Sequence, residues 1–238
     1  MKQIINPAGG IYYHINALRY KKMLWQPFIN NLNLFLQDWP TTKEHLVIFG
    51  GSAGYCLTQP FLDRFNKITL VDPDPLAAKI FSYRFNKKIS KSHKNYLDKD
   101  FIKIQQLKDD FTDAAILFSN ILGQFPYLLN PQEEYKTTLK NSLFKIFKDR
   151  EWASFHDLLS YHFKKTNCSI CWPLILQAQN NEESIDKLQQ QLQLRPSKVH
   201  VVDHLTEGIF NNSALAQKLY WQRTPHSYHI IEAVAHSC

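Results

Sequence analysis

Between residues 11 and 39, apolar side chains recur every three to four positions. Leu24, Trp25, Phe28, Ile29, Leu32, Phe35, Leu36 and Trp39 fall on one face, which predicts an amphipathic helical segment. Gly9 and Gly10 make a hinge ahead of it, Pro40 stops the pattern, and residues 41–44 form a polar turn. The period then changes. His45–Phe49 is a short apolar run closed by Gly50 and Gly51, the pattern of a buried parallel strand. Residues 68–71 are a second such run, ending at Asp72. Residues 75–86 return to helical spacing through Leu76, Ile80, Phe81 and Phe85. The lysine-rich stretch 87–100 reads as a surface loop, 101–104 as a weak third strand, and 114–119 as a fourth strand that ends at Asn120.

Further on, the pattern predicts helices over 132–148 and around 151–163. An irregular stretch, 164–196, carries a Gln-rich helical run at 182–193. Val199–Asp203 reads as a fifth strand and 213–219 as a short helix. Residues 220–224 and 228–235 form a hairpin around Pro225 and His226. Strands alternating with helices imply an α/β fold: a Rossmann-like, mostly parallel sheet with helices on both faces, a C-terminal antiparallel hairpin and an N-terminal helical extension. Residues 1–40 are expected to cap the pocket, and residues 41–238 to form the Rossmann-like domain.

The 238 residues suffice for one such domain with a small appendage. Lys and Arg number 28 against 21 Asp and Glu, a net charge of +7. Such a surface can attract phosphates or nucleic acid, but the lysines are scattered and no run forms a basic arm. Four cysteines in a chain of this length are no disulfide framework. The opening residues lack an apolar secretory core, and no stretch approaches a membrane span. A cytoplasmic protein without a membrane partner is therefore expected.

The segment Leu46-Val47-Ile48-Phe49-Gly50-Gly51-Ser52-Ala53-Gly54-Tyr55 is the most informative. Glycines after a strand let the backbone turn sharply and approach a ligand, and a following helix N-terminus offers free N–H donors. Asp72 follows about twenty residues on, at the end of the next strand, where an acid can hold ribose hydroxyls. Equally, Asp72-Pro73-Asp74-Pro75 can cap the next helix. The same turn also fits Gly-x-Ser-x-Gly, a nucleophile elbow with Ser52 as nucleophile and Asp203 with His226 or His229 as partners. That fold places several strands before its elbow, whereas the chain before Ser52 reads mostly as helix. A dinucleotide oxidoreductase also uses a glycine turn and a downstream acid, but its third glycine is missing here.

The run from Leu46 to Tyr55 resembles the first motif of class I S-adenosylmethionine-dependent methyltransferases, with Gly50, Ser52 and Gly54 at its three glycine positions. Residues 68–72 resemble the second motif, whose acid holds the ribose. Residues 114–120 resemble the fourth-strand motif, and the terminal hairpin resembles the antiparallel final strands of that fold. The resemblance implies S-adenosyl-L-methionine as cofactor and methyl transfer to an O, N or other nucleophile. It implies a cofactor site of Gly50, Gly51, Ser52, Gly54, Tyr55, Asp72, Pro73 and Asn120. The sequence departs from the pattern at Ser52, at Ile48, where many members carry an acid, and after the third strand, where no clear acid follows. A non-catalytic protein of the same fold stays open on those departures.

His14, Gln124 and His204 are candidates for the acceptor side. His14 precedes the cap helix, Gln124 follows the fourth strand, and His204 follows Asp203 at a strand end. Asn120 and Gln124 can also simply close a turn. His156 and Asp157 form a possible acid/base pair, although neighbours on a helix point to different faces. Cys168 and Cys171 are a lone CxxC, too little for a metal site, and no metal is expected.

Overall fold

The computed structural model describes residues 10–92, 94, 96, 103–127, 141, 147–163, 187, 190, 199–210 and 215–237. Most of the helical runs expected at 182–193 and 132–148, and Cys168 and Cys171, lie outside the described residues.

The N-terminal helical pattern folds as α1 (Gly10–Tyr20), a π-helical turn (Lys21–Trp25) and α2 (Gln26–Asp38). Next come β1 (His45–Phe49), the single-turn α3 (Gln59–Leu62), β2 (Lys67–Val71), α4 (Ala77–Phe85), β3 (Ser90–Ser92), α5 (Ile104–Asp110) and β4 (Ala115–Ser119). A 3-10 turn (Leu122–Tyr127) follows β4. The second half supplies β5 (Trp152–Phe163), β6 (Val199–Asp203), β7 (Leu215–Thr224) and β8 (Ser227–His236).

The described strands form one sheet in the order β3-β2-β1-β4-β5-β8-β7. β1 runs parallel to both β2 and β4, with Ile48 opposite Leu70 on one side and Leu117 on the other. β5 is parallel to β4 and antiparallel to β8. The order reverses between β1 and β4, and the sheet closes on an antiparallel hairpin. This is the α/β architecture that the class I methyltransferase resemblance implies.

β5 is longer than β4 and needs further partners. β8 lines one of its edges. On the other edge β4 pairs with Trp152–Phe155 and β6 with Leu159–Phe163. The interval between them, residues 156–158, is left to side chains and turns, and the register with β8 shifts there.

Three elements depart from the sequence pattern. Residues 151–163, expected as helix, are strand β5. Both faces of this strand are covered, so its buried positions do not alternate, and the apolar spacing mimics a helix. Residues 213–219 were expected as a short helix, but Leu215 onward belongs to β7. Pairing with β8 overrides the helix-favouring Leu-Ala-Gln-Lys-Leu composition. The third strand is Ser90–Ser92, within the expected loop, while Ile104 opens a helix. A three-residue polar edge strand carries no apolar signal.

Successive residues of β1 feed opposite cores. Leu46 and Ile48 pack with α2, α3, α4 and Trp221, whereas Val47 and Phe49 pack with Leu107, Phe118, Phe147, Trp152 and Phe210. The N-terminal helices share the first core. Trp25 is fully buried, meets Trp221 edge-on at 5.1 Å and donates its indole N–H to the Arg223 carbonyl at 2.8 Å. Trp25→Ala is expected to cost about 3–5 kcal/mol in urea denaturation, because it opens a cavity and orphans a carbonyl. A loss under about 1 kcal/mol would show that the helices are only loosely docked.

Candidate functional site

The turn after β1 is built around two left-handed glycines. Gly50 (φ 64°) donates its N–H to the Val71 carbonyl at 3.0 Å. A Cβ there would lie 2.9 Å from Ile121 Cβ and 3.1 Å from the Ser119 carbonyl, so the turn and the end of β4 touch. Gly54 (φ 66°) returns its N–H to the Gly51 carbonyl at 2.8 Å, and a Cβ on it would strike Phe81 and Phe85 of α4. Both glycines make room for protein on both sides of the turn. Ser52 between them is also left-handed, and its Oγ is buried without a hydrogen-bond partner among the described residues.

Asp72 closes this turn. Its Oδ2 accepts the Ser52 N–H at 2.7 Å, and its Oδ1 accepts the Asp74 N–H at 2.8 Å. Burial pushes the Asp72 carboxyl above the usual range, while the N–H groups of Asp74 and Ser52 pull it back. Asp72 thus serves as turn brace, and Asp74, which accepts the Leu76 N–H at 2.9 Å, caps the entry to α4. A carboxylate has about four acceptor directions, so Asp72 keeps capacity for a ligand hydroxyl. Pro73 between them is exposed.

The N-terminal helix is pinned to the same loop. His14 is buried on α1, and its Nε2 lies 2.7 Å from Asp74 Oδ2 and its Nδ1 2.9 Å from the Tyr55 hydroxyl. With Nε2–H donated to the carboxylate, Nδ1 accepts the tyrosine proton. Arg84 stacks over the Tyr55 ring at 4.5 Å and donates to the Ala53 carbonyl. His14, Tyr55 and Asp74 therefore join α1, the glycine turn and the acidic loop. Burial pushes the nearby Cys56 thiol up to about 11, which keeps it protonated and inert.

A second polar group lies past β4. Asn120 is left-handed and donates its N–H to the Phe155 carbonyl at 2.8 Å, while its side-chain Oδ1 is buried and has no partner among the described residues. Gln124 Nε2 donates to the Asn120 carbonyl at 2.8 Å, closing the turn. Gly123 sits against Asp157, where a Cβ would lie 2.9 Å from the Asp157 carbonyl. His204 Nδ1 donates to the Gly123 carbonyl at 2.6 Å, which leaves Nε2 to accept the Ser160 hydroxyl at 2.7 Å. His229 Nδ1–H is then shared between Ser160 Oγ at 2.9 Å and Asp157 Oδ1 at 2.7 Å, and the Ser227 hydroxyl donates to its Nε2 at 3.1 Å. Thr206 Oγ1 donates to the Asp157 carbonyl at 2.6 Å and the His204 N–H to the Leu158 carbonyl at 3.0 Å. These bonds fill the stretch of β5 edge that neither β4 nor β6 covers.

The sequence-predicted residues thus fall into two groups that meet at Gly50 and Ile121. Gly50, Gly51, Ser52, Gly54, Tyr55, Asp72, Pro73 and His14 surround the first turn, and Asn120, Gln124 and His204 surround the second. For the nucleophile-elbow alternative, no described residue hydrogen-bonds Ser52 Oγ. Its proposed partners are engaged elsewhere, His229 with Asp157 and Asp203 with the Leu205 N–H. His156 and Asp157 are not an acid/base pair on a helix: on a strand they face opposite ways, His156 toward Ser154 and Glu232, and Asp157 toward His229. Ser160 had no signal in the sequence, because its role follows from the strand assignment of β5.

The chain matches no protein-family model and no curated protein sequence. Among solved structures it is similar to an S-adenosylmethionine-dependent methyltransferase from Anabaena variabilis. That match has 12% identity and a TM-score of 0.47, and covers 97% of this chain and 96% of that one. It is also similar to the N-methyltransferase NodS of Bradyrhizobium japonicum, at 12% identity and TM-score 0.42, over 88% and 86% of the two chains. Magnesium protoporphyrin IX methyltransferase from Synechocystis matches at 12% identity and TM-score 0.42, over 89% and 83%.

Burial alone would raise the Asp157 carboxyl, but the His229 ring and its N–H hydrogen bond outweigh it and hold the carboxyl at about 2. Burial keeps His229 below the usual imidazole range. Because the folded Asp157 value is depressed, the unfolded chain takes up the proton first as pH falls. Its stabilisation is complete above about pH 4 and is lost as pH falls from there toward 2. Asp157→Asn is expected to lose about 1.5–3 kcal/mol at neutral pH and to show a flatter acid slope in urea denaturation. Parallel pH profiles for the two proteins would contradict the pairing.

Proposed function

We propose that this protein is an S-adenosylmethionine-dependent methyltransferase. The observation that carries the reading is the site at the reversal of strand order between β1 and β4. There Asp72 braces the glycine turn, and two buried polar atoms, Ser52 Oγ and Asn120 Oδ1, stand without partners among the described residues. Open α/β sheets bind ligands at such a point, and buried polar atoms in folded proteins almost always have partners. An elongated ligand bearing hydroxyls, a ring edge and an amino-acid end matches that donor set. When bound, S-adenosylmethionine supplies a methyl group on a positively charged sulfur.

In this reading Asp72 takes the ribose hydroxyls, the backbone from Gly50 to Gly54 receives the amino-acid end, and Asn120 orients the ligand from the β4 side. Residues 1–40 act as the cap, with His14 holding it to Asp74 and Tyr55. The acceptor enters past β4, beside Gln124. His204, through Gly123, holds the backbone of that turn in place and acts as a positioning residue. Methyl transfer depends on in-line positioning more than on a strong acid or base, which is consistent with the engaged histidines here. The acceptor is an O, N or similar nucleophile.

Calorimetric titration with S-adenosylmethionine, S-adenosylhomocysteine and NAD tests this. Binding of the first two at micromolar levels, about −8 kcal/mol, with no heat from NAD, is the expected result. Binding of NAD alone, or of none of the three by a folded sample, would contradict it.

A further inference from the structure

Among the described residues, the outer faces of α1 and α4 carry most of the exposed large apolar side chains. Ile11, Ile15 and Leu18 recur along α1 at four- and three-residue spacing, and Met23 follows on the π-helical turn. Leu76 and Tyr83 stand at the start and far end of α4. Leu18, Met23 and Tyr83 are 81%, 78% and 89% exposed, so they protrude singly into solvent and do not line a groove. α1 meets the loop that leads into α4, since His14 reaches Asp74, and Arg84 of α4 stacks over Tyr55, which bonds His14.

The segments that carry these side chains hold cations and no acid, although Asp74 lies beside His14 and Leu76 and Asp63 pairs with Lys87. No Asp or Glu occurs from residue 1 to 37, and none from 75 to 97. Arg19, Lys22, Lys79 and Lys88 are exposed among the apolar residues. None of these four has an acidic partner among the described residues. Interleaved cations and protruding apolar side chains, without a concave groove, are complementary to an anionic lipid surface.

We propose that the outer faces of α1 and α4 dock on an anionic bilayer, with Leu18, Met23 and Tyr83 entering the headgroup boundary and the lysines and arginine meeting lipid phosphates. No helix of the described residues is long and apolar enough to cross a membrane, and the expectation of no membrane partner rested on the lack of a span. A helix lying in the interface needs no span. Docking through the outer face leaves the inner face of α1, with His14, on the candidate site. The proposal is independent of methyl transfer.

Co-sedimentation of the full chain with vesicles tests it. Vesicles of phosphatidylcholine mixed with phosphatidylglycerol are expected to bind the protein about tenfold more tightly than phosphatidylcholine alone, and less in high salt. The double variant L18D/M23D and the charge reversal K22E/K79E, each folded by circular dichroism, are expected to lose about tenfold in binding. The proposal is overturned if the protein ignores both vesicle types or binds them equally. It is also overturned if the variants bind as well as the native chain, or if L18D/M23D instead abolishes self-association in vesicle-free solution, which would give this face to a second copy.

Discussion

Two backbone N–H groups converge on the Asp72 carboxylate, and the candidate site depends on that convergence. One comes from Ser52, inside the glycine turn, and the other from Asp74, at the entry to α4. Together they tie the end of β2 to the turn after β1. Charge-assisted bonds of this kind offset the cost of burying a carboxylate, which burial alone would protonate more readily. Asp74 extends the tie to the N-terminal helix through His14, and His14 to Tyr55. Strand, turn, helix entry and N-terminal helix are thus linked by side chains that surround the candidate site.

A comparable economy operates past β4. β5 outruns β4, and the exposed stretch of its edge is occupied by the post-β4 turn and by the residues before β7. His204, Ser160, His229 and Asp157 form a buried network in which each proton has a defined acceptor. Such a network rigidifies only when every member is satisfied. Its outcome here is a fixed Gly123 carbonyl and, through Gln124, a fixed Asn120 carbonyl. The two polar clusters hold the two turns that flank the reversal of strand order.

β1, β2 and β4 were legible in the sequence because strands buried on both faces read as uninterrupted apolar runs. The β7–β8 hairpin was legible from the Pro225–His226 turn. β5 was not, because Ser154, His156, Asp157 and Ser160 interrupt its apolar residues at helix-like intervals. Asp157 and Ser160 are tolerated in the interior because they meet partners from distant segments, which single-sequence spacing does not show, while Ser154 bonds His156 two residues on. β3 was invisible because an edge strand of Ser-Lys-Ser needs no apolar face. Within the site, the spacing of Gly54 and Asp72 was readable, but the brace from Asp72 to Ser52 required the fold. The same holds for His204, whose strand-end position was readable and whose partners were not.

The central claim is that Asp72 both braces the turn and holds the ribose. Titration of S-adenosylhomocysteine into native and Asp72→Ala protein tests it most directly, with cooperative unfolding of the variant as the check on folding. The account predicts a loss of about 1.5–3 kcal/mol in binding free energy. Equal affinity in a variant that unfolds cooperatively would contradict it and leave Asp72 as a structural brace alone.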